Sequence, residues 1–339
     1  MSIQSTIKAL VDGQVPDRET AYQTMQAIMS GECTDAQIAA YLVALRLAGE
    51  TADVIAGSAQ AMREAVTEIS HTHDAVVDTC GTGGDGAHTF NISTTVAFVV
   101  AGAGVPVAKH GNRGVSSKSG SADVLTELGV DIGVSPEVME QCLADIGIAF
   151  LFAPSLHPAM KHAIGPRREI GIRTVFNVLG PLTNPAGAKR GVLGVYDPAL
   201  VPMLTQAAAD LGAQHLYVVH GNDGLDEFTT TTTTTVGEVI DGKVTVSTLD
   251  PTTLGLATST TADLGGGEPA ENTAITRAIL SGEDQGPKRD IVLLNAAAAI
   301  CAGGKAASLQ EGLEVAAQSI DSGTALEKLN ALAQRTQQG

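Results

Sequence analysis

Val76-Val77-Asp78-Thr79-Cys80-Gly81-Thr82-Gly83-Gly84-Asp85-Gly86 is a short β-branched run that passes into a loop with four glycines and one Asp in six positions. Asn91-Ile92-Ser93-Thr94 then opens an apolar helix over 96–103. Strand, glycine loop and helix start together form a cradle for an oxyanion. Glycines let backbone N–H groups converge, and a helix N-terminus adds free donors and partial positive charge. The stretch is read as neither a P-loop nor a dinucleotide-binding fingerprint. The competing reading, an ordinary tight βα turn with an Asn or Ser cap, has little use for so many glycines.

Moving outward, the strand at 75–78 is followed by β-branched runs at 105–109, 148–152, 191–196 and 215–220, separated by Gly-rich turns and helices. Such alternation predicts a mainly parallel sheet. The second strand ends in Lys109-His110-Gly111-Asn112-Arg113-Gly114, and Ser116, Ser117, Lys118, Ser119 and Ser121 follow. Three cations and four hydroxyls thus gather in one loop of an acidic chain. Ligands of open α/β sheets collect at the carboxyl ends of adjacent strands, so this loop and the glycine loop are expected to face one crevice. A merely solvated basic loop is the alternative, because Lys and Arg are normally exposed. His110 carries no acid–base assignment, since a satisfied structural imidazole explains it equally well.

The strand at 215–220 leads into Asp223, Asp226 and Glu227 at the same edge of the sheet. Acidic pairs are common on surfaces, but a magnesium ion shared with a bound pyrophosphate needs only one or two carboxylates and a hydroxyl such as Ser93. Between strands, the segment 158–185 lacks strand character and carries Arg167, Arg168 and Arg173 around Glu169. Helical Arg residues are usually solvated, yet a guanidinium fork is the side chain best matched to a planar carboxylate. His157 and Met160 are read as packing residues rather than as the lining of an aromatic pocket.

The first seventy residues read as helices only. Asp17 after Pro16 is a cap, Thr34 with Gln37 is a capping-box pattern ahead of Ile38, Tyr41, Leu42 and Leu45, and Thr51 starts a further helix. The segment 158–185 is expected to return to these helices. The fold class is therefore α/β, with a small all-helical domain (1–72 and 158–185) beside a larger α/β domain (73–157 and 186–339) built on a mainly parallel central sheet. Seven consecutive Thr at 229–235, beside Val236, Val239 and Ile240, are read as a strand in preference to low-complexity disorder. Asp241-Gly242 then turns a hairpin into 243–246, and 273–280, 291–301 and 309–333 are expected to be helices covering the sheet.

With 20 Lys plus Arg against 37 Asp plus Glu, the 339-residue chain has a formal charge of −17, so most of its surface repels nucleic acid and anionic membranes. The absence of Trp removes one base-stacking platform, and no apolar run is long enough for a bilayer span. Cys33, Cys80, Cys142 and Cys301 are far apart, which suggests reduced thiols rather than disulfides or zinc and fits a cytoplasmic setting.

Gly81-Thr82-Gly83-Gly84-Asp85, Asn91 to Thr94, Lys109 to Arg113, Asn177-Val178-Leu179-Gly180-Pro181-Leu182-Thr183-Asn184-Pro185 and Leu225-Asp226-Glu227, in this order and spacing, closely resemble the anthranilate phosphoribosyltransferase family. The resemblance spans the whole chain. It implies transfer of a phosphoribosyl group from phosphoribosyl pyrophosphate (PRPP) to anthranilate in tryptophan biosynthesis, a nucleoside phosphorylase/phosphoribosyltransferase-like fold, a homodimer joined through its helical parts, and magnesium as cofactor. It further implies PRPP on Gly81, Gly84, Asp85, Thr89, Asn91, Ile92, Ser93, Thr94, Lys109, His110, Gly111, Asn112, Arg113, Ser117 and Ser121. Anthranilate falls to Gly81, Asn112 and Arg167, and magnesium to Ser93, Asp226 and Glu227. The Thr run is longer than the family pattern and lies outside the matched motifs.

The chemistry so implied needs no covalent nucleophile. Loss of pyrophosphate leaves an oxocarbenium-like ribosyl group, and anthranilate's amine is neutral near pH 7, so charge stabilisation and alignment suffice and no catalytic acid or base is assigned. Two alternatives remain at this point. A pyrimidine-nucleoside phosphorylase shares the fold and the glycine loop, but Asp226-Glu227 and the 177–185 block argue against it. A non-catalytic nucleic-acid-binding relative should be basic, and this chain is acidic.

Overall fold

Thr34 Oγ1 accepts from the Gln37 N–H at 3.3 Å while the Gln37 side chain accepts from the Thr34 N–H at 2.9 Å, the reciprocal cap expected of Thr-x-x-Gln. It starts the helix Asp35–Ala48, which Gly49 ends at φ +93°. Asp17 and Thr51 cap the helices Arg18–Met29 and Ala52–Glu64 by the one-way bond alone, accepting from the N–H groups of Thr20 and Val54. Those two helices touch closely: a Cβ on Gly57 would stand 2.2 Å from the Arg18 carbonyl oxygen, so only glycine permits the approach.

The computed structural model describes residues 2–114 and 118–338; Ser117 lies outside the described residues. Among these, one seven-stranded sheet is built from β1 (Val77–Gly81), β2 (Val107–Gly111), β3 (Ile148–Phe152), β4 (Arg190–Gly194), β5 (His215–Gly221), β6 (Thr234–Ile240) and β7 (Lys243–Leu249). The spatial order is β3-β2-β1-β4-β5-β6-β7, with β1 to β5 parallel and β6 and β7 antiparallel at one edge. The chain runs outward from β1 through β2 to β3 and then crosses to β4 on β1's other side. That reversal opens a crevice at the carboxyl ends of β1 and β4.

Alternation along β4, β5 and β6 feeds two apolar cores. Val192, Tyr217, Val219 and Val236 join the core under Ile92–Gly102, Pro287–Ala302, Leu309–Asp321 and Thr324–Gln338. Leu193, Val218 and Val239 join the other, with the N-terminal helices, Leu200–Asp210, and Ala163, Val175, Phe176, Val178, Leu179 and Leu182. The segment 158–185 therefore packs against the N-terminal helices. Arg63 ties them further, donating to the carbonyls of Leu182 at 2.7 Å and Leu211 at 3.2 Å.

Three expectations are corrected. Strand β1 starts later than position 75 and continues to Gly81, because it pairs in register with β4 through Gly81 opposite Gly194. The Thr run is not one strand: only Thr234 and Thr235 enter β6. Thr229 and Thr231 hydroxyls both donate to Asp223, at 2.7 Å for Thr229, and Thr230 pairs with Ser259 at 2.7 Å, so side-chain hydrogen bonds hold the first five as a folded loop. The stretch 309–333 is two helices, Leu309–Asp321 and Thr324–Gln338, broken at Gly323 with φ +84°.

Candidate active site

Four strand ends and one helix start converge on the crevice. After β1 the glycine loop turns through Gly83 and Gly84 at φ +65° and +78°. Gly81, Gly83 and Gly86 do match the letters of G-x-G-x-x-G, but the helix begins only at Ile92, so the turn is longer than a dinucleotide-binding fingerprint allows. Gly83 N–H donates to Asp226 Oδ2 at 2.7 Å. A Cβ on Gly81 would lie 2.3 Å from that same oxygen, and one on Gly194 would lie 1.5 Å from the Asp226 carbonyl oxygen. Close seating of Asp226 is what demands glycine at the ends of β1 and β4.

The helix Ile92–Gly102 points its N-terminus here. Ser93 N–H donates to Glu227 Oε1 at 3.1 Å, while the buried Thr94 hydroxyl has no partner. Asn91 gives the helix no side-chain cap. Its amide instead bonds Ser119 and Asn272, joining the two loops: Nδ2 donates to Ser119 O at 3.1 Å, and Oδ1 accepts from Asn272 Nδ2 at 2.8 Å.

Lys109 is 3% exposed, which argues against the alternative of a solvated basic loop at this position. Its ammonium donates to the Thr79 carbonyl and to Ser93 Oγ at 3.4 Å, and faces Asp78, Glu227 and Asp226. Burial pulls its pKa down and the carboxylates oppose that. Asp226 is pushed up to about 7 by burial and by the neighbouring Asp85, against the Gly83 N–H that lowers it. Glu227 is raised for the same reasons, by burial and then by Asp226. The site thus concentrates negative charge that one ammonium only partly offsets.

Such a donor set fits a hard divalent cation, whose charge would remove the conflict between Asp226 and Glu227. Among the described residues no group of three or more His, Cys, Asp or Glu side chains is arranged to hold an ion by itself. An ion here would complete its shell with substrate oxygens and water, as magnesium does.

Other expected residues have different surroundings. Arg113 pairs with Asp123 at 2.9 Å, and Asp123 also accepts from Gly114 and Gly120 N–H, closing the basic loop on itself. Asn112 is exposed, and its carbonyl accepts from Ser121 Oγ at 3.1 Å. Gly111 packs where a Cβ would meet Ser121 Oγ at 2.3 Å. Thr89 bridges to Gly265. The His110 ring is buried against His157, Nε2 to Nε2 at 3.1 Å, as a packed pair. Arg167 is half-buried with its guanidinium 5.1 Å over the Phe176 ring, and burial lowers its pKa. Arg173 donates to the Gly84 carbonyl from the helical side.

Sequence reasoning gave no role to Asp78 or Asn184. Asp78 is buried, accepts from His110 N–H at 3.1 Å and from Asn184 Nδ2 at 2.7 Å, and so ties β1, β2 and the 177–185 block behind Lys109. A carboxylate three residues before the first glycine of the loop was the available signal. Asn272, far along the chain, offered none.

A glycine-rich loop beside a buried Lys and two carboxylates, reached by Arg173 from a helical segment, fits the class of glycosyl transferases that handle a phosphorylated sugar. Residues 73–326 match the glycosyl transferase family, a/b domain, and residues 4–66 its helical bundle domain. The chain is 55% identical over 334 residues to anthranilate phosphoribosyltransferase of Pelotomaculum thermopropionicum, covering 98% of this chain and 96% of that one. It superposes on the Thermus thermophilus enzyme with TM-score 0.93 and 43% identity, over 98% and 99% of the two chains. The Saccharomyces cerevisiae enzyme, solved in complex with PRPP and Mg, gives TM-score 0.91 at 30% identity over 99% and 98%. The chain belongs to the anthranilate phosphoribosyltransferases, and its activity is that transfer in tryptophan biosynthesis.

Proposed function

We propose that this crevice binds PRPP along the glycine loop, Asn91 to Thr94 and Lys109, with Gly111, Asn112 and Ser121 beside it and Ser117, outside the described residues, kept in the same assignment. Magnesium is held by Ser93, Asp226 and Glu227, and anthranilate by Gly81, Asn112 and Arg167. The observation that carries this reading is the buried Lys109 ammonium, set among Asp226, Glu227 and the N-terminus of Ile92–Gly102. When bound, magnesium supplies positive charge that stabilises the leaving pyrophosphate. Lys109 adds a fixed charge without reorganisation, and backbone N–H groups of the loop orient phosphate oxygens. Arg167 holds the carboxylate of anthranilate so that its amine meets the anomeric carbon, and no side chain is asked to remove a proton before the bond forms.

The same reading treats 1–72 with 158–185 as a helical unit and 73–157 with 186–339 as the α/β unit. Closure between them would exclude water from the activated sugar. Among the described residues no helix is long and apolar enough to cross a membrane. Cytoplasmic residence belongs to the same reading, as a setting in which four widely spaced cysteines stay thiols. A homodimer through the helical unit is supported by Val11 and Leu47, exposed on two helices that pack together. The test is anthranilate fluorescence followed with purified protein, PRPP and magnesium, with thymidine and phosphate in parallel. Loss of fluorescence that requires magnesium supports the reading, and phosphorolysis without anthranilate loss overturns it.

A further inference from the structure

The glycine loop is anchored on two sides. On the sheet side Thr82 N–H donates to Gly194 O at 2.9 Å, and Tyr196 N–H donates to Thr82 Oγ1 at 3.2 Å. On the helical side Arg173 Nη2 donates to the Gly84 carbonyl, and the same guanidinium lies 4.0 Å over the Tyr196 ring. Arg173 follows Gly171, whose φ of +62° ends the helix Lys161–Ile170 that carries Arg167. A Cβ on Gly84 would stand 2.9 Å from Arg173 Nη2, so the guanidinium occupies the space a side chain would take. Neither substrate assignment above uses Arg173.

A trans peptide sets its C=O and N–H on opposite sides. The chain has no cis peptide bond among its described residues. A donor that holds the Gly84 carbonyl toward the helical segment therefore turns the Asp85 N–H the other way, away from that segment. We propose that Arg173, braced by Tyr196, is a positioning residue for PRPP: it fixes the 84–85 peptide so that a backbone donor is set before the phosphates arrive. This rests on the reading that the glycine loop holds PRPP. Arg173 also joins the segment that carries Arg167 to the glycine loop.

The test uses the full-length enzyme with Arg173→Met, Arg173→Lys, Tyr196→Leu and the Arg173→Met/Tyr196→Leu double variant. The Arg173→Met variant is expected to raise the KM for PRPP about tenfold, the size of one lost hydrogen bond, with the KM for anthranilate and the melting temperature nearly unchanged. Partial recovery is expected in Arg173→Lys, which keeps a donor and a charge. Tyr196→Leu should give a smaller rise that disappears in the Arg173→Met background, because the ring acts through the guanidinium. An unchanged KM for PRPP, or an equal rise in the KM for anthranilate, overturns the proposal. Gly83→Val, measured alongside, separates the two levels: if it too leaves PRPP untouched, the loop is not the PRPP site at all. If it weakens PRPP while Arg173→Met does not, only the role of Arg173 falls.

Discussion

Burial separates residues that look alike in the sequence. Lys109 and Arg113 stand four positions apart, the first inside β2 and the second in the loop after it, and the first is buried among carboxylates while the second is exposed and paired with Asp123. Arg167 is the half-buried guanidinium of its helix, and its charge has desolvation to recover from a carboxylate partner. Arg167→Ala should therefore raise the KM for anthranilate by about 10- to 150-fold, a loss of roughly 1.5–3 kcal/mol, with PRPP little affected. Comparing the two Michaelis constants checks this, and an equal rise in both would point to misfolding. Asp226→Asn with Glu227→Gln keeps size and removes two charges. The variant should fold, lose turnover and require more magnesium, whereas a solvated acidic pair would contribute under about 1 kcal/mol and its loss would barely register. Titration of activity against magnesium at saturating substrates decides, and superimposable curves eliminate the metal assignment.

At the level of elements, the strand–loop–helix unit around Gly81 was legible because its chemistry is local: β-branched residues, then glycines, then an apolar run. Its boundary was not, since β1 extends through Gly81 only because β4 lies beside it. The Thr run misled for a related reason. β-branched residues favour a strand, but Asp223 and Ser259 offer their hydroxyls better partners, and neither contact is visible in a run of identical letters. In the glycine loop, Gly83 sits at φ +65° with no atom within 4 Å of where its Cβ would be. A valine there strains the loop without striking the protein, so Gly83→Val should nearly abolish PRPP binding and leave helical content intact. Calorimetric titration with circular dichroism tests it. Unaltered affinity would reduce the glycine to a turn former.

Across the whole molecule, His110 on β2 and His157 beyond β3 meet behind the crevice, and their pKa values fall to about 3 and about 4, chiefly through burial. Both lie below the unfolded value of about 6.5, so the unfolded chain binds more protons in acid. The pair's contribution to stability is full above that pH and is lost as pH falls from about 6.5 toward 4, by about 2–3 kcal/mol between pH 7.5 and 5.5. Urea unfolding at the two pH values should show this difference, and His110→Asn with His157→Leu should flatten it; an equal slope in both proteins would rule the pair out. Sequence alone determined the helical caps, the alternation of strand and helix, and the order of the motifs, because each depends on neighbours within a few residues. Only the tertiary structure decided that Lys109 is buried, that Asp226 presses against Gly81 and Gly194, that Asp78 and Asn184 stand behind the site, and that Arg173 reaches Gly84. These contacts join residues 75 or more positions apart in most cases, and desolvation and like-charge repulsion exist only once the fold has brought the groups together.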